Sequence, residues 1–232
     1  MPGCFIMTKD KLDIIFEDNH LLVVNKDPGM LVQGDKTGDI NLVDAGKEYI
    51  RKKYNKPGNV FLGLVHRLDR PVSGLVILAR TSKALERMNA QFREKSMEKI
   101  YWAITEKVPE NLEGRLVHWL TKDRNKNIVK ASVKERKGSV KAELSYRTIS
   151  HISQYFLLEI NLHTGRFHQI RAQLAYFDCP VKGDIKYGSP KPLPDGSIAL
   201  HARQLTFLHP VKKEKMVLRA DLPDNDIWKV FN

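Results

Sequence analysis

Cysteine is scarce in this sequence. Among 232 residues there are two cysteines, Cys4 and Cys179, and they lie far apart in the sequence. So small a number excludes a disulfide framework and a C-x-x-C zinc knuckle, which need numerous or closely spaced cysteines. We therefore expect a reducing, cytoplasmic setting.

Long apolar runs are missing as well. Nowhere does the sequence hold about 18 consecutive apolar residues, the pattern of a helical membrane span, so we expect no membrane partner. Residues 1–10 carry a short apolar patch and no basic leader, which predicts an N-terminal extension instead of a signal peptide. Internal repeats and low-complexity tracts are also absent, and residues 11–232 are expected to form one domain.

Acidic residues are outnumbered by basic ones. Lys and Arg total 39 against 27 for Asp and Glu, which leaves a formal charge of +12 and a pI near 9.6. Such an excess attracts polyanions, of which nucleic acid is the commonest protein partner. Many soluble proteins are basic without binding nucleic acid, however, and charge alone favours neither interpretation.

Short runs of branched and aromatic residues dominate the pattern along the chain. Predicted strands outnumber predicted helices and mostly follow one another directly, which favours an α+β fold with a largely antiparallel sheet over a doubly wound fold. The predicted helices cover residues 41–54, 82–95 and 167–176, with Asn41 and Ser82 as N-caps. The predicted strands cover residues 14–16, 21–24, 60–65, 75–79, 100–105, 116–120, 128–133, 140–148, 155–162, 198–207 and 216–220.

One polar loop between two apolar strands carries a candidate catalytic carboxylate. In residues 63–75, Asp69 stands between Arg67 and Arg70. Two neighbouring cations keep a carboxylate ionised and lower its pKa, and an ionised carboxylate can act as a nucleophile or a base. The alternative is an aspartate that only braces the loop through ion pairs, and the spacing alone favours this alternative.

A second polar segment precedes a predicted helix. Residues 163–171 place Arg166 and backbone N–H groups at the start of that helix, where anions are favoured. Arg166 could therefore bind a carboxylate or a phosphate. Taken in isolation, the pattern is more typical of a surface arginine near a helix cap.

Together these segments closely resemble the RluA-type family of RNA pseudouridine synthases. The resemblance spans roughly residues 12–220, with the motifs in the family's order. The family usually has Thr where Val72 stands and often Asp where Pro71 stands, which alters the loop after Asp69 but not Asp69 itself. The matching segments are residues 17–30, 66–69 with 73–75, 99–101, 164–171, 183–184 with 187–188, and 200–210.

The resemblance implies a fold and a reaction. The fold is a curved, mainly antiparallel mixed sheet with flanking helices and a central cleft. The reaction detaches uracil from C1′ of the ribose, rotates it and rejoins it through C5, so that no cofactor is needed. Asp69 would attack C1′ or abstract a sugar proton, and the sequence leaves both routes open. Because no N-terminal S4-type RNA-binding domain fits, RNA binding is expected from the catalytic domain.

The resemblance also implies roles for individual residues. Arg166 would pair with Asp69, and Tyr101 would stack on the base and later help to remove the C5 proton. Arg67 would enter the stack left by a flipped uridine, since the reacting atoms are inaccessible in a stacked strand. The further residues expected to bind substrate are Leu205, His66, Arg171, Lys130 and Lys134.

A strongly basic segment lies at residues 122–141, with eight basic and two acidic side chains. It is interpreted either as a hairpin on RNA phosphates or as a solvated hairpin, and the two are equally favoured. The eight histidines suggest no metal site, because the spacing of His163 and His168 suits no helical ligand pair and no Cys or Glu completes a set.

The expected partner is ribosomal or transfer RNA, with no required protein partner. Two other classes of function remain as alternatives. One is a non-catalytic RNA-binding or ribosome-assembly protein, which has no need for a carboxylate facing a polyanion. The other is an aspartate-based nuclease, which normally needs several carboxylates around Mg²⁺, whereas the motif loops supply one.

Overall fold

The computed structural model describes residues 12–35, 38–108, 111–123 and 125–231. The predicted extension at residues 1–10 lies outside these ranges. The helices are α1 (Leu42–Lys53), α2 (Ser82–Arg93), α3 (Gln169–Tyr176) and α4 (Asp226–Lys229), with a short 3-10 turn at Ile185–Tyr187. The strands are β1 (Asp13–Glu17), β2 (Leu21–Lys26), β3 (Gly63–Leu64), β4 (Ser73–Ala79), β5 (Glu98–Thr105), β6 (Glu113–Asp123), β7 (Ile128–Ser132), β8 (Val140–Ile152), β9 (Tyr155–Leu162), β10 (Leu200–Leu208) and β11 (Lys215–Arg219).

All of these strands join one sheet. Its order is β1-β2-β4-β10-β5-β9-β8-β6-β7, with β11 paired to β10 and β3 paired to β4. Every pairing between these strands is antiparallel except that of β4 with β10. The predicted α+β fold with a mainly antiparallel sheet is thus confirmed.

The parallel pairing of β4 with β10 is short. It consists of Ser73 opposite His201 and Gly74 opposite Ala202, and the Ser73 hydroxyl lies 2.9 Å from His201 Nδ1. Elements β1–β4, α1 and α2 all precede residue 94, whereas β5–β11, α3 and α4 all follow it. Two consecutive halves of the chain therefore meet at this pairing, which we call the seam.

The central strands are buried on both faces. In β2 and β4, alternate residues belong to two separate apolar clusters, because successive side chains of a strand point to opposite faces. One cluster includes Leu22 and Val76, and the other includes Leu21 and Leu75 with Met88 of α2. This two-sided packing gives the loop between β3 and β4, which carries Asp69, a rigid support.

The helix starts follow ordinary capping chemistry, with one shift from the prediction. Asn41 caps α1 as predicted, accepting a hydrogen bond from the backbone N–H of Asp44. The cap of α2 is Thr81, which bonds the N–H of Ala84, so the predicted cap at Ser82 is wrong by one residue. Within the described ranges, no helix is long and apolar enough to cross a membrane.

Candidate active site

A cavity of about 420 Å³ opens beside the loop that carries Asp69. Its walls come from three regions: the segment after β2, the loop before β4, and the N-terminal end of α3 with two nearby residues. The lining residues are Leu31, Val32, Gln33, Gly34, Asp35, Arg67, Leu68, Asp69, Arg70, Pro71, Asn127, Phe167, His168, Arg171 and Lys186. Four of these carry cationic side chains, Arg67, Arg70, Arg171 and Lys186, against two aspartates, so the cavity suits an anionic ligand.

Asp69 is held by a buried arginine. Arg171 Nη1 donates to Asp69 Oδ2 at 2.9 Å. The same guanidinium donates through Nε and Nη2 to both carboxylate oxygens of Asp184, at 2.6 and 2.9 Å. A guanidinium locked in this way by Asp184 presents one N–H to Asp69 in a fixed direction. The ion pair thus fixes the orientation of the Asp69 carboxylate.

The predicted pairing of Arg166 with Asp69 is wrong. Arg166 is exposed, and its Nε donates to the backbone carbonyl of Lys141. The reason lies in the start of α3, which begins at Gln169, so that Arg166 still belongs to the preceding loop. His168 and Arg171 are three residues apart and share a face of the helix start, and this face points at Asp69.

Tyr101 lies on β5, beside the loop of Asp69. It shares a buried cluster with Leu68 and Val72, and Val72 closes the turn that begins at Asp69 through a hydrogen bond to the Asp69 carbonyl. Burial and the charge of Asp69 raise the pKa of Tyr101 above its ordinary value. The phenol therefore stays neutral near pH 7, buried behind the loop of Asp69 and outside the cavity lining.

His168 approaches the same oxygen of Asp69 as Arg171. Its Nε2 lies 3.4 Å from Asp69 Oδ2, and its Nδ1 lies 2.9 Å from the hydroxyl oxygen of Tyr187. Burial lowers the pKa of His168 to about 4, an effect that the negative charge of Asp69 opposes and the positive charges of Arg171, Lys186 and Lys122 reinforce. The imidazole is therefore neutral near pH 7.

The buried side chain of Lys26 holds the loop that carries Asp69. Lys26 is 1% exposed, and its Nζ donates to the backbone carbonyls of Asp27, Met30 and Arg70 at 2.8, 3.0 and 3.3 Å. Burial lowers the pKa of Lys26 to about 7, against the opposing charges of Asp27 and Asp69. These three bonds tie the end of β2 to the residue after Asp69. Sequence reasoning missed this role because a lysine before Asp-Pro-Gly is typical of an exposed turn.

Two more residues whose role the sequence did not reveal lie at the 3-10 turn. Asp184 and Tyr187 belong to a segment that the sequence marked as a family motif without assigning it a role. The structure brings them to Arg171 and His168, respectively. Their distance from Asp69 along the chain hid this connection.

The remaining predicted residues divide into two groups. Arg67 is exposed and lines the cavity, where the prediction requires it. Leu205 is buried with Leu75 and Phe207 and does not line the cavity, so its predicted place in a uracil pocket is wrong.

His66 stacks on Phe92 and accepts a hydrogen bond from the backbone N–H of Ile77. It also lies outside the cavity lining, and it serves as an anchor for β4.

The basic hairpin β6–β7 reaches the cavity at one end. Asn127, at its tip, lines the cavity, and Lys122 lies 4.6 Å from the centre of the Phe167 ring.

Val129 packs against Ala172 of α3, so alternation along β7 turns the exposed Lys130 toward the opposite face of the sheet. Lys134 is exposed in the loop after β7. The substrate contact of Lys134 stays a prediction, whereas the position of Lys130 on the face away from α3 argues against the contact predicted for it.

No metal site is evident in the described part of the chain. Its His, Cys, Asp and Glu side chains form no group of three or more that could hold a metal ion.

Comparison with known proteins identifies the family. The family model of RNA pseudouridylate synthases matches residues 20–176, which include Asp69, Tyr101 and Arg171. The chain belongs to this family. The resemblance that the sequence motifs indicated is thereby confirmed, and so is the pseudouridine synthase fold.

Individual relatives agree with this assignment. Ribosomal large subunit pseudouridine synthase D of Zymomonas mobilis is 34% identical over 224 residues, which cover 92% of this chain and 70% of the relative. Ribosomal large subunit pseudouridine synthase C of Vibrio cholerae is 29% identical, covering 90% and 65% of the two chains. An uncharacterized RNA pseudouridine synthase of Synechocystis is 33% identical, covering 91% and 66%. The chain thus spans about two thirds of the length of these relatives.

A solved structure also matches. The human RNA pseudouridylate synthase domain containing 4 superposes with a TM-score of 0.76 at 26% identity, covering 91% of this chain and 88% of that one. The human domain containing 1 has a TM-score of 0.75 at 21% identity, which supports the shared fold alone.

Proposed function

We propose that this pseudouridine synthase isomerises uridine to pseudouridine in structured RNA, with Asp69 as the group that attacks the ribose. The observation that carries the proposal is the carboxylate of Asp69 at a basic cavity, fixed on Oδ2 by Arg171. A polyanion would be drawn to the cavity by its cations, and one ionised carboxylate would meet the sugar there.

The chemistry follows from the groups around Asp69. Asp69 attacks C1′ or removes a sugar proton, and either route breaks the bond from C1′ to N1 of uracil. The freed uracil rotates, and its C5 bonds to C1′ as the bond from Asp69 to C1′ breaks or, on the other route, as Asp69 returns the proton to the sugar. N1 then carries a proton and C5 loses one, so the reaction balances without an oxidant or reductant. Tyr101, a neutral phenol beside this loop, stacks on the base and takes part in the final removal of the C5 proton.

The substrate class follows from the relatives and from the cavity rim. The relatives named for the large ribosomal subunit favour ribosomal RNA over transfer RNA. A uridine stacked inside RNA exposes neither C1′ nor C5 adequately, so it must flip into the cavity. Arg67, exposed at the rim, fills the vacated stack.

The alternatives fit the site less well. A nuclease that uses Mg²⁺ needs a group of carboxylates, and the described residues offer no such group around Asp69. A non-catalytic RNA-binding protein would gain nothing from a carboxylate in its basic cavity, because that carboxylate repels phosphate.

The substitution Asp69→Asn tests the proposal. It keeps the shape of the side chain but removes the nucleophilic charge, so turnover should fall by at least about 1,000-fold, as expected when a covalent or proton-transfer step is lost. RNA affinity should be retained, because removing a negative charge does not weaken binding to a polyanion. Tritium release from RNA that contains 5-tritiated uridine measures turnover.

The matched control is Asp224→Asn. Asp224 is an exposed carboxylate whose partner is Lys229, at the C-terminal end of the chain. Its replacement should leave turnover unchanged. Turnover of Asp69→Asn within tenfold of this control would refute the proposed function.

A further inference from the structure

His168 occupies a constrained position at the start of α3. Its φ is +52°, in the left-handed region that non-glycine residues seldom adopt. Its ring stacks on Phe167, with centroids 3.8 Å apart and planes 19° apart. Strained backbone in a folded protein is retained where the surrounding structure requires it, often at functional sites. Here it directs one edge of the imidazole at Asp69 and the other at Tyr187.

The hydrogen bonds of Tyr187 fix which nitrogen of His168 carries the proton. The backbone N–H of Val129 donates to the Tyr187 hydroxyl oxygen at 2.8 Å. A backbone N–H can only donate, so the Tyr187 oxygen is an acceptor there, and its own proton is free for His168 Nδ1 at 2.9 Å. This arrangement lets the Tyr187 hydroxyl donate to Nδ1, and we infer that in the neutral imidazole the proton resides on Nε2, the nitrogen that faces Asp69.

The contacts on Asp69 are unequal between its two oxygens. The N–H of Arg171 and the Nε2 of His168 both approach Oδ2, at 2.9 and 3.4 Å. The latter distance is long for a hydrogen bond, as is common before substrate binds. Two donors on one oxygen hold the carboxylate plane in a single orientation and leave Oδ1 without competition from either donor.

We propose that Tyr187 and His168 are positioning residues of this synthase, forming a directed hydrogen-bond chain that runs from Val129 to Asp69 and presents Oδ1 as the reacting oxygen. The inference rests on the proposed function of Asp69 and adds two residues to which the reaction itself assigns no role. Neither side chain needs to touch the substrate, because both act through Asp69.

The chain of bonds also links the basic hairpin to the reacting oxygen. Val129 lies on β7, two residues after Asn127 at the cavity wall. A displacement of β7 would move the Val129 N–H, weaken its bond to Tyr187 and release the constraint on the His168 ring. The position of the hairpin is thus coupled to the orientation of Asp69.

Nuclear magnetic resonance of the wild-type protein tests the direction of the chain. In protein labelled with ¹⁵N on its eight histidines, the ring signals distinguish the tautomer with the proton on Nε2 from that with the proton on Nδ1. The signals that vanish in His168→Asn belong to His168. We expect the Nε2 tautomer at neutral pH, and a proton on Nδ1 would overturn the proposal.

Turnover of Tyr187→Phe tests the function of the chain. The variant removes the hydroxyl that donates to His168, so kcat should fall roughly tenfold, the effect of one lost hydrogen bond, with KM nearly unchanged. Tyr146→Phe is the matched control, because the hydroxyl of Tyr146 also makes a side-chain hydrogen bond, to the carbonyl of Asn111, outside the cavity. Equal kcat in the two variants would overturn the proposal.

Two substitutions of His168 separate positioning from a structural role. Gln can place an amide N–H near the position of Nε2, whereas Asn is too short to reach Asp69 but tolerates a left-handed backbone better. Positioning predicts a higher kcat for His168→Gln than for His168→Asn, and a purely structural role predicts the reverse order. If Asp69→Asn stays active, the proposed function fails; if it is inactive while the order for His168 is reversed, only this inference fails.

Discussion

At the residue scale, two arginines of the candidate site make different contacts. Arg171 is 4% exposed and is bound by two acidic partners, Asp184 and Asp69. Arg166 is exposed and bonds only a backbone carbonyl through its side chain. Arg171 therefore holds the carboxylate of Asp69, whereas Arg166 lies at the exposed outer end of the same segment.

Substituting each arginine by lysine should separate these roles. A lysine ammonium cannot bind both oxygens of Asp184 and also reach Asp69, so Arg171→Lys should lower kcat by at least about tenfold and reduce the melting temperature. Arg166→Lys keeps the charge at an exposed position, and its kcat should stay within about twofold of wild type. Single-turnover kinetics and thermal unfolding measure both effects, and a greater loss of kcat in Arg166→Lys would contradict the assignment.

The sequence predicted Asp69 as the reacting carboxylate, and the structure supplies the partners of its side chain, which the sequence did not predict. The spacing of Asp69 between two arginines favoured a bracing role, and the resemblance of the surrounding motifs to the family is what singled it out. The choice between Arg166 and Arg171 depended on where α3 begins, and a shift of a few residues at a helix start changes which side chains face inward. Leu205 was misplaced because β10 is buried on both faces, so its pattern does not reveal which face lines a cavity.

At the scale of elements, the hairpin β6–β7 has two different faces. The face that packs on α3 carries Val129 and Lys122, which are paired across the two strands, and Lys122 lies over the ring of Phe167 at the cavity. The opposite face carries Lys130. The high charge of residues 122–141 predicted an RNA contact for the hairpin as a whole, but only the packing of α3 identifies the face toward the cavity.

Salt-dependent binding should distinguish these faces. Each lysine that neutralises a phosphate releases counterions, so Lys122→Gln should flatten the slope of log K against log salt by about 0.7 to 0.9. Lys130→Gln removes the same charge from the opposite face and should leave the slope unchanged. Titrations of one RNA at several salt concentrations provide the comparison. A flatter slope in Lys130→Gln alone would place the RNA on the other side of the sheet.

At the scale of the whole molecule, the seam joins two consecutive halves of the chain. The strands themselves were largely predictable from runs of apolar residues, but their order was not. β10 lies between β4 and β5, although about 100 residues separate it from either strand. Such a long-range pairing leaves no local pattern, because it depends on which apolar surfaces remain uncovered after the neighbouring hairpins have formed.

Gly74 makes the seam possible and provides its test. Its φ is +111°, and an added Cβ would lie 2.5 Å from the backbone N and O of Ala202. Gly74→Ala should therefore separate β4 from β10 and lower the free energy of unfolding by roughly 3 kcal/mol or more, since strain and a clash with backbone add. Urea titrations followed by circular dichroism measure this loss.

Gly138→Ala is the control for backbone strain alone. Gly138 also has a positive φ, +79°, but an added Cβ would meet nothing within 4 Å. Its substitution should lower the free energy of unfolding by about 1 kcal/mol. If Gly74→Ala lowered the free energy of unfolding by no more than Gly138→Ala does, the seam would tolerate a side chain at residue 74.

The division at the seam also has a consequence for the chain while it is being synthesised. Asp69 and Arg171 are 102 residues apart, on opposite sides of the seam. At a synthesis rate of about 5–20 residues per second, a ribosome needs roughly 5–20 s to pass from one to the other. During that interval the nascent chain displays the reacting carboxylate without the cation that orients it. The complete site therefore forms only after the second half of the chain has been synthesised and has paired with the first.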